Sequence, residues 1–134
     1  MGEPKTRNVA RKHYVNYLKR ADECLTTAKG AFAAQQWNAS AINAIHSVIA
    51  GVDALCVYYL GKRHAGESHG GTIKLFNSID LASQELQVNA KRLSRMLGMK
   101  NMAEYEERLV FKSEAEKALK DAERLLAFAR SKLP

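Results

Sequence analysis

The most informative pattern in the chain lies between Gln36 and Gly61. There Ala41, Ile45, Val48, Val52, Leu55 and Tyr59 recur at the three- and four-residue spacing of one helix face. The opposite arc carries Asn43, His46, Ser47 and Asp53 among small residues, with no Lys, Arg or Glu between Trp37 and Tyr59. A surface helix puts long charged side chains on its outer face. This segment therefore reads as the central helix of a bundle, its second face covered by another helix or by a second subunit.

The rest of the chain supplies partners for that helix. Tyr14, Tyr17, Leu18, Ala21, Leu25, Ala28 and Phe32 predict an amphipathic first helix ending near Ala34. The Gln35–Gln36 step leaves room only for a tight reversal, which sets the second helix antiparallel to the first. Trp37 at that reversal is expected to pack across both helices, and Gly61 stands in the usual C-terminal position of glycine. A glycine-rich loop, KRHAGESHGGT, follows, with Thr72 as the expected N-cap of a third helix through Leu75, Phe76 and Ile79. Asp80 to Asn89 is ambiguous, with a break expected near Gln87.

Residues 90–99 place Leu93, Met96 and Leu97 opposite Lys91, Arg92 and Arg95, and Gly98 allows an end or a kink. Tyr105, Leu109 and Phe111 are expected in the core. Ser113 with Glu116 reads as a capping box opening the last helix, whose stripe runs from Ala115 to Leu133. The only prolines are Pro4 and Pro134, and strand-like alternation is nowhere sustained. The fold expected is all-α: an antiparallel four- to five-helix up-and-down bundle in one domain, residues 1–134, with 1–7 a loose basic arm.

Composition narrows the chemistry. The hydrophobic share of 46% is that of a globular chain, and polar residues interrupt every long apolar run, so no membrane span is expected. The N-terminus lacks the apolar core of a secretory signal, which makes the cytoplasm the expected location. Cys24 and Cys56 sit among apolar neighbours and read as free thiols. Without CxxC, Glu-x-x-His pairs or GxSxG, neither a metal nor a hydrolase triad is indicated, and no cofactor is expected. The Walker pattern is also missing from the glycine-rich loop. A net charge of +7 favours an anionic partner such as RNA, a nucleotide or an acidic protein. His46 and Asp53, seven residues apart, share a helix face, so the carboxylate could orient the imidazole.

The segments QQWNASAINAIHSVIAGVDALCVYYLGKRHAGESHGG and EYEERLVFKSEAEKALKDAERLL, with a cysteine-leucine pair in the first helix, resemble the HEPN domain family. The resemblance implies a dimerising helical bundle. Many of its members are metal-independent ribonucleases, or toxins paired with nucleotidyltransferase-like antitoxins. Their signature is an arginine followed, four to six residues later, by a histidine near the last helical section. The matching positions here are Lys100, Asn101 and Tyr105: lysine stands for arginine and tyrosine for histidine. A tyrosine with a pKa near 10 is a poor proton shuttle at neutral pH. Lysine keeps the charge but loses the bidentate fork.

The resemblance thus implies a nucleotide-, RNA- or protein-binding homodimer with a degenerate ribonuclease site. Its basic cleft would use Arg95, Lys100, Asn101 and Tyr105 beside Asn43, His46 and Asp53. An active endoribonuclease and a ligand-free dimerisation module are the alternatives. Arg7-Asn8 to His13 and Arg63 to His69 meet the signature's spacing literally, but away from the family's position. Such spacings arise by chance among 21 basic residues and 4 histidines. Were Arg63 and His69 to face a cleft, activity could survive by a displaced route.

Overall fold

The computed structural model describes residues 4–66, 68–81 and 83–134. Residues 1–3 of the expected arm, Glu67 of the glycine-rich loop and Ala82 of the ambiguous stretch lie outside the described residues. Five α-helices carry the fold among those described: α1 (Tyr14–Ala33), α2 (Trp37–Leu60), α3 (His69–Asn77), α4 (Gln84–Tyr105) and α5 (Lys112–Lys132). Two short strands, β1 (Thr6–Asn8) and β2 (Lys62–His64), form an antiparallel ladder pairing Thr6 with His64, Arg7 with Arg63 and Asn8 with Lys62. The architecture is the all-α bundle expected.

The ladder corrects the loose basic arm. Beyond the paired strands, the Val9 amide donates to the Gly61 carbonyl and the Ala65 amide to the Lys5 carbonyl. Arg11 donates through Nε to the Tyr58 carbonyl at 2.8 Å and lies 4.2 Å from the Tyr58 ring centre. Backbone pairing of three residues leaves no side-chain alternation to read, so the sequence pattern is silent about it.

Helix α2 is the centre of the bundle. Ile45, Val48, Val52, Leu55 and Val57 are all but inaccessible, and so are the opposite-arc residues Ala44, Ser47 and Ala54. Helices α1, α5 and α4 of the same chain supply the cover, so the missing charges on α2 call for no second subunit. Its length and mean hydropathy of 1.5 would suit a membrane span, but 78% of that window is buried inside the bundle.

At the reversal Gln35 takes a left-handed φ of 61°, and the Gln36 amide reaches back to the Ala31 carbonyl. The Trp37 ring meets Phe32 edge-on at 5.1 Å. Ser40, fully buried, donates its hydroxyl to the Ala28 carbonyl and ties α1 to α2. The left-handed Gly61 closes α2 as expected.

Several boundaries differ from expectation. Ser68, not Thr72, caps α3, accepting the Gly71 amide at 3.1 Å. Helix α4 starts at Gln84 behind the Ser83 cap, earlier than a break near Gln87, and runs through Gly98 without ending. Tyr105, Leu109 and Phe111 are 73%, 68% and 61% exposed rather than in the core. Val110 takes the inward place, packed with Ala41 and Ala115. The last helix is entered through Phe111, whose amide donates to Glu114 Oε1 at 2.9 Å, and not through a Ser113–Glu116 box.

Candidate functional site

Gly61 ends α2 and turns the chain into β2, which leads through the glycine-rich loop to the start of α3. This corner and the second half of α4 enclose a cavity of about 700 Å³. Helix α2 contributes Ile49 and Asp53, one turn apart. The corner contributes Arg63, His64, Gly66, His69 and Thr72, and α4 contributes Leu97, Lys100, Asn101 and Tyr105. Three stretches far apart in sequence therefore converge on one polar pocket.

The corner is locked by His64. Its Nδ1 lies 3.0 Å from the Thr72 hydroxyl, and its ring sits so close over Gly71 that a Cβ there would lie 2.7 Å from Nε2. A side chain at that position would have to displace the His64 ring. Burial and the nearby Arg63 guanidinium push the His64 pKa down, which favours the neutral imidazole. Arg63 donates to the His64 carbonyl at 3.1 Å, while its buried Nε has no partner among the described residues.

Asp53 is the most perturbed group in the pocket. Burial drives its pKa up to about 7, against the opposing pull of Arg63 and Arg20. Near neutral pH it exchanges between acid and carboxylate. Cys56, one turn deeper in α2, is pushed up to about 12 by burial and by Asp53, so it is an inert thiol. Lys100 reaches Glu104 Oε2 at 3.5 Å, and Tyr105 stands at the pocket rim with Lys100 Nζ 5.9 Å from its ring centre.

Of the expected site residues, Asp53, Lys100, Asn101 and Tyr105 come together here. His46 does not touch Asp53: its Nε2 meets Glu104 Oε1 at 2.9 Å, with half of the His46 side chain exposed. Through Glu104 it is linked to Lys100 at the pocket. Asn43 spends its amide on the Ala39 carbonyl of its own helix at 2.9 Å and does not line the cavity. Arg95 lies on another face of α4, clamped by both oxygens of Asp121 at 3.0 and 3.2 Å. The common cleft of Arg95 with Lys100 is thereby corrected: five residues along a helix turn the side chain away from its neighbour's face.

Arg63 and His69, matched by spacing, line the cavity; His13 does not, and lies near Asn16 on the surface. His64 and Thr72 line the cavity, and Glu104 touches its Lys100 from outside the lining; none of the three is among the site residues expected from the sequence. The glycines around His64 and His69 are the trace of that corner in the sequence, since they permit the close approach.

The family model described as HEPN domain matches residues 14–132. No curated protein sequence matches the chain. Among solved structures, the crystal structure of TT1696 from Thermus thermophilus is similar, with a TM-score of 0.66 and 19% identity. The similarity covers 90% of this chain and 98% of that one. At that identity the likeness shows the fold.

Proposed function

The chain belongs to the HEPN domain family, and on that premise we propose that its cavity binds the phosphate of a nucleotide or of single-stranded RNA. The observation that carries this reading is the convergence of Arg63 and Lys100 with Asp53, His69 and Asn101 on one pocket of about 700 Å³. Two cations answer the phosphate charge, while Asn101 and Asp53 offer polar partners for a base or sugar. The family's signature positions hold Lys100 and Tyr105, so a degenerate ribonuclease site fits the reading. A nucleotidyltransferase-like partner and a toxin–antitoxin setting belong to the same proposal and rest on the family likeness alone. So does homodimerisation, for which the exposed Tyr105, Leu109 and Phe111 offer apolar surface.

The test is amide NMR titration with adenosine monophosphate. Shifts confined to residues around Arg63, His69 and Asn101 are expected. Lys100→Ala should weaken binding by about tenfold or more, as lost charged hydrogen bonds do. No cavity shift at millimolar nucleotide sinks the proposal.

A second reading is favoured by one observation: Arg63 and His69, at the signature's spacing, face the same cavity as Asp53. Metal-independent cleavage would use one of these groups to accept the proton of the RNA 2′-hydroxyl. The 2′-oxygen then bonds to the adjacent phosphorus as the bond from phosphorus to the 5′-oxygen breaks, and a protonated group gives its proton to that departing 5′-oxygen. RNA cleavage in the presence of chelator, lost in His69→Ala and kept in His13→Ala and His46→Ala, would establish it. Intact RNA with wild-type protein removes it.

A further inference from the structure

The face of α4 turned away from the cavity carries a second basic surface. Val88, Arg92 and Arg95 follow one another at four and three residues and look across a shallow groove to α5. Asn101, in the cavity, lies about two and a half turns beyond Arg92, on the opposite side of α4. On α5, Lys117, Lys120 and Arg124 form a matching stripe. Two shallow grooves of about 620 and 390 Å³ lie along this face, and Arg124 lines both.

Charge pairing decides which of these cations is free. Arg95 is neutralised by Asp121, Lys120 by Glu116 at 3.2 Å, and Glu85 by Lys132 at 3.7 Å. Arg92, Lys117 and Arg124 make no ion pair among the described residues. Arg92 is held at the groove wall by its hydrogen bond to Asn89 Oδ1 at 3.0 Å. Asn89 is itself buried and anchored to the Glu85 carbonyl. The groove wall is partly apolar around Val88, but the charges left unpaired along it, Arg92, Lys117 and Arg124, are all cationic. A row of unpaired cations is what a phosphate backbone answers.

We propose that the α4–α5 groove is a second contact surface for the phosphate backbone of single-stranded RNA, built on Arg92, Lys117 and Arg124 and separate from the cavity. The identity of the anion rests on the function proposed above; the surface does not. Lys117 and Arg124 are about 10 Å apart along the helix axis, enough for a strand to lay two or three phosphates across them. Strand length then sets affinity: a mononucleotide fills the cavity alone, and a longer RNA adds the groove.

The experiment measures anisotropy of a labelled single-stranded RNA of about 20 nucleotides between about 50 and 200 mM salt. The probes of the two sites are this RNA and adenosine monophosphate. The protein is compared with Arg92→Gln/Arg124→Gln and with Lys117→Gln, a single exposed change that keeps the fold readable if the double variant unfolds. Three phosphate contacts give a slope of log affinity against log salt of about −2 from this surface. The double variant should lose about tenfold in RNA affinity and flatten the slope by about 1.4, with Lys117→Gln flattening it by about 0.7. Mononucleotide binding should be unchanged in both.

RNA affinity and slope that stay as in the wild type overturn the inference, even if Lys100→Ala abolishes nucleotide binding and so sustains the cavity. The converse result, RNA lost in the groove variants with no nucleotide binding anywhere, sustains the groove and removes the cavity. A polyglutamate peptide that binds as tightly as RNA, with the same loss in the variants, would give the surface to an acidic protein and overturn the inference too.

Discussion

His46 and Glu104 meet across 58 residues of sequence, Nε2 to Oε1 at 2.9 Å, and the same carboxylate reaches Lys100 with its other oxygen at 3.5 Å. Burial alone would raise the Glu104 pKa, but the hydrogen bond from His46 and the charge of Lys100 outweigh it and hold the carboxyl below its ordinary value of 4.5. A depressed carboxyl stabilises the fold above the unfolded value and loses that contribution as pH falls through the folded one. The contact is therefore intact at neutral pH and is lost only in acid, below the ordinary range of a glutamate. With His46 half exposed, a double-mutant cycle of His46→Ala and Glu104→Ala should give a coupling of only ~0.5–1 kcal/mol. Glu104→Gln, by removing the charge that competes for Lys100, should tighten adenosine monophosphate binding a few-fold. Weaker binding in that variant would mean that Glu104 orients Lys100 productively rather than sequestering it.

Asp53 makes the opposite prediction about pH. Its folded pKa of about 7 stands above the ordinary 3.8, so the folded state holds the proton more tightly. The resulting stability is complete below about pH 4 and is lost as pH rises through about 7. The loss is on the order of 4 kcal/mol at most. Asp53→Asn mimics the protonated form and should flatten this dependence, raising the melting temperature at pH 8 while changing little at pH 4. Melting curves at both values check it. Equal pH profiles for the two proteins would show that the carboxylate is solvated in the folded chain.

How far these features are visible in the residues alone follows from the range of the interactions. The central helix is legible because a stretch from Trp37 to Tyr59 without Lys, Arg or Glu has no face built for water, and Gly61 marks its end. Lys100, Asn101, Tyr105 and Asp53, grouped as site residues from the sequence alone, line one cavity. What escapes is contact between elements. Asp53 and His46 share a helix face in the sequence, yet the acid that reaches His46 comes from α4, because tertiary packing brings Glu104 nearer. The β1–β2 ladder depends on backbone pairing and leaves no periodic trace. Tyr105, Leu109 and Phe111 read as core because they are apolar, but only Val110 among that stretch is turned inward.

The entry to α5 separates two capping arrangements experimentally. Glu114 binds the Phe111 amide and also takes both nitrogens of Arg108, at 3.0 and 2.7 Å. Those hydrogen bonds, from Arg108 first and Phe111 second, hold its pKa below the ordinary value. Glu114→Ala should cost ~1 kcal/mol, the usual size of a lost cap. Ser113→Ala and Glu116→Ala should lie within ~0.5 kcal/mol of the wild type, as surface changes do. Denaturant unfolding of the three variants decides between the arrangements. The reverse order of losses would restore the Ser113–Glu116 box.

Helix α2 passes tightly against α5 at Gly51, where an added Cβ would stand 3.2 Å from Leu126 Cδ1 and 3.9 Å from Leu125 Cδ2. Both leucines are fully buried, so the space beside Gly51 has little give beyond a small rotation of the Leu126 tip. Alanine there recovers ~0.5–1 kcal/mol of helix propensity, which opposes the cost of tight contact. Gly51→Ala should therefore remain within ~1 kcal/mol of the wild type. Gly51→Leu has no such compensation and must push α5 off the central helix, at a cost of ~1–3 kcal/mol. For a chain of this size that lowers the melting temperature by roughly 4 °C per kcal/mol. Calorimetry on both variants tests the packing, and a leucine variant that melts with the wild type would mean that α2 and α5 are farther apart in solution than this contact requires.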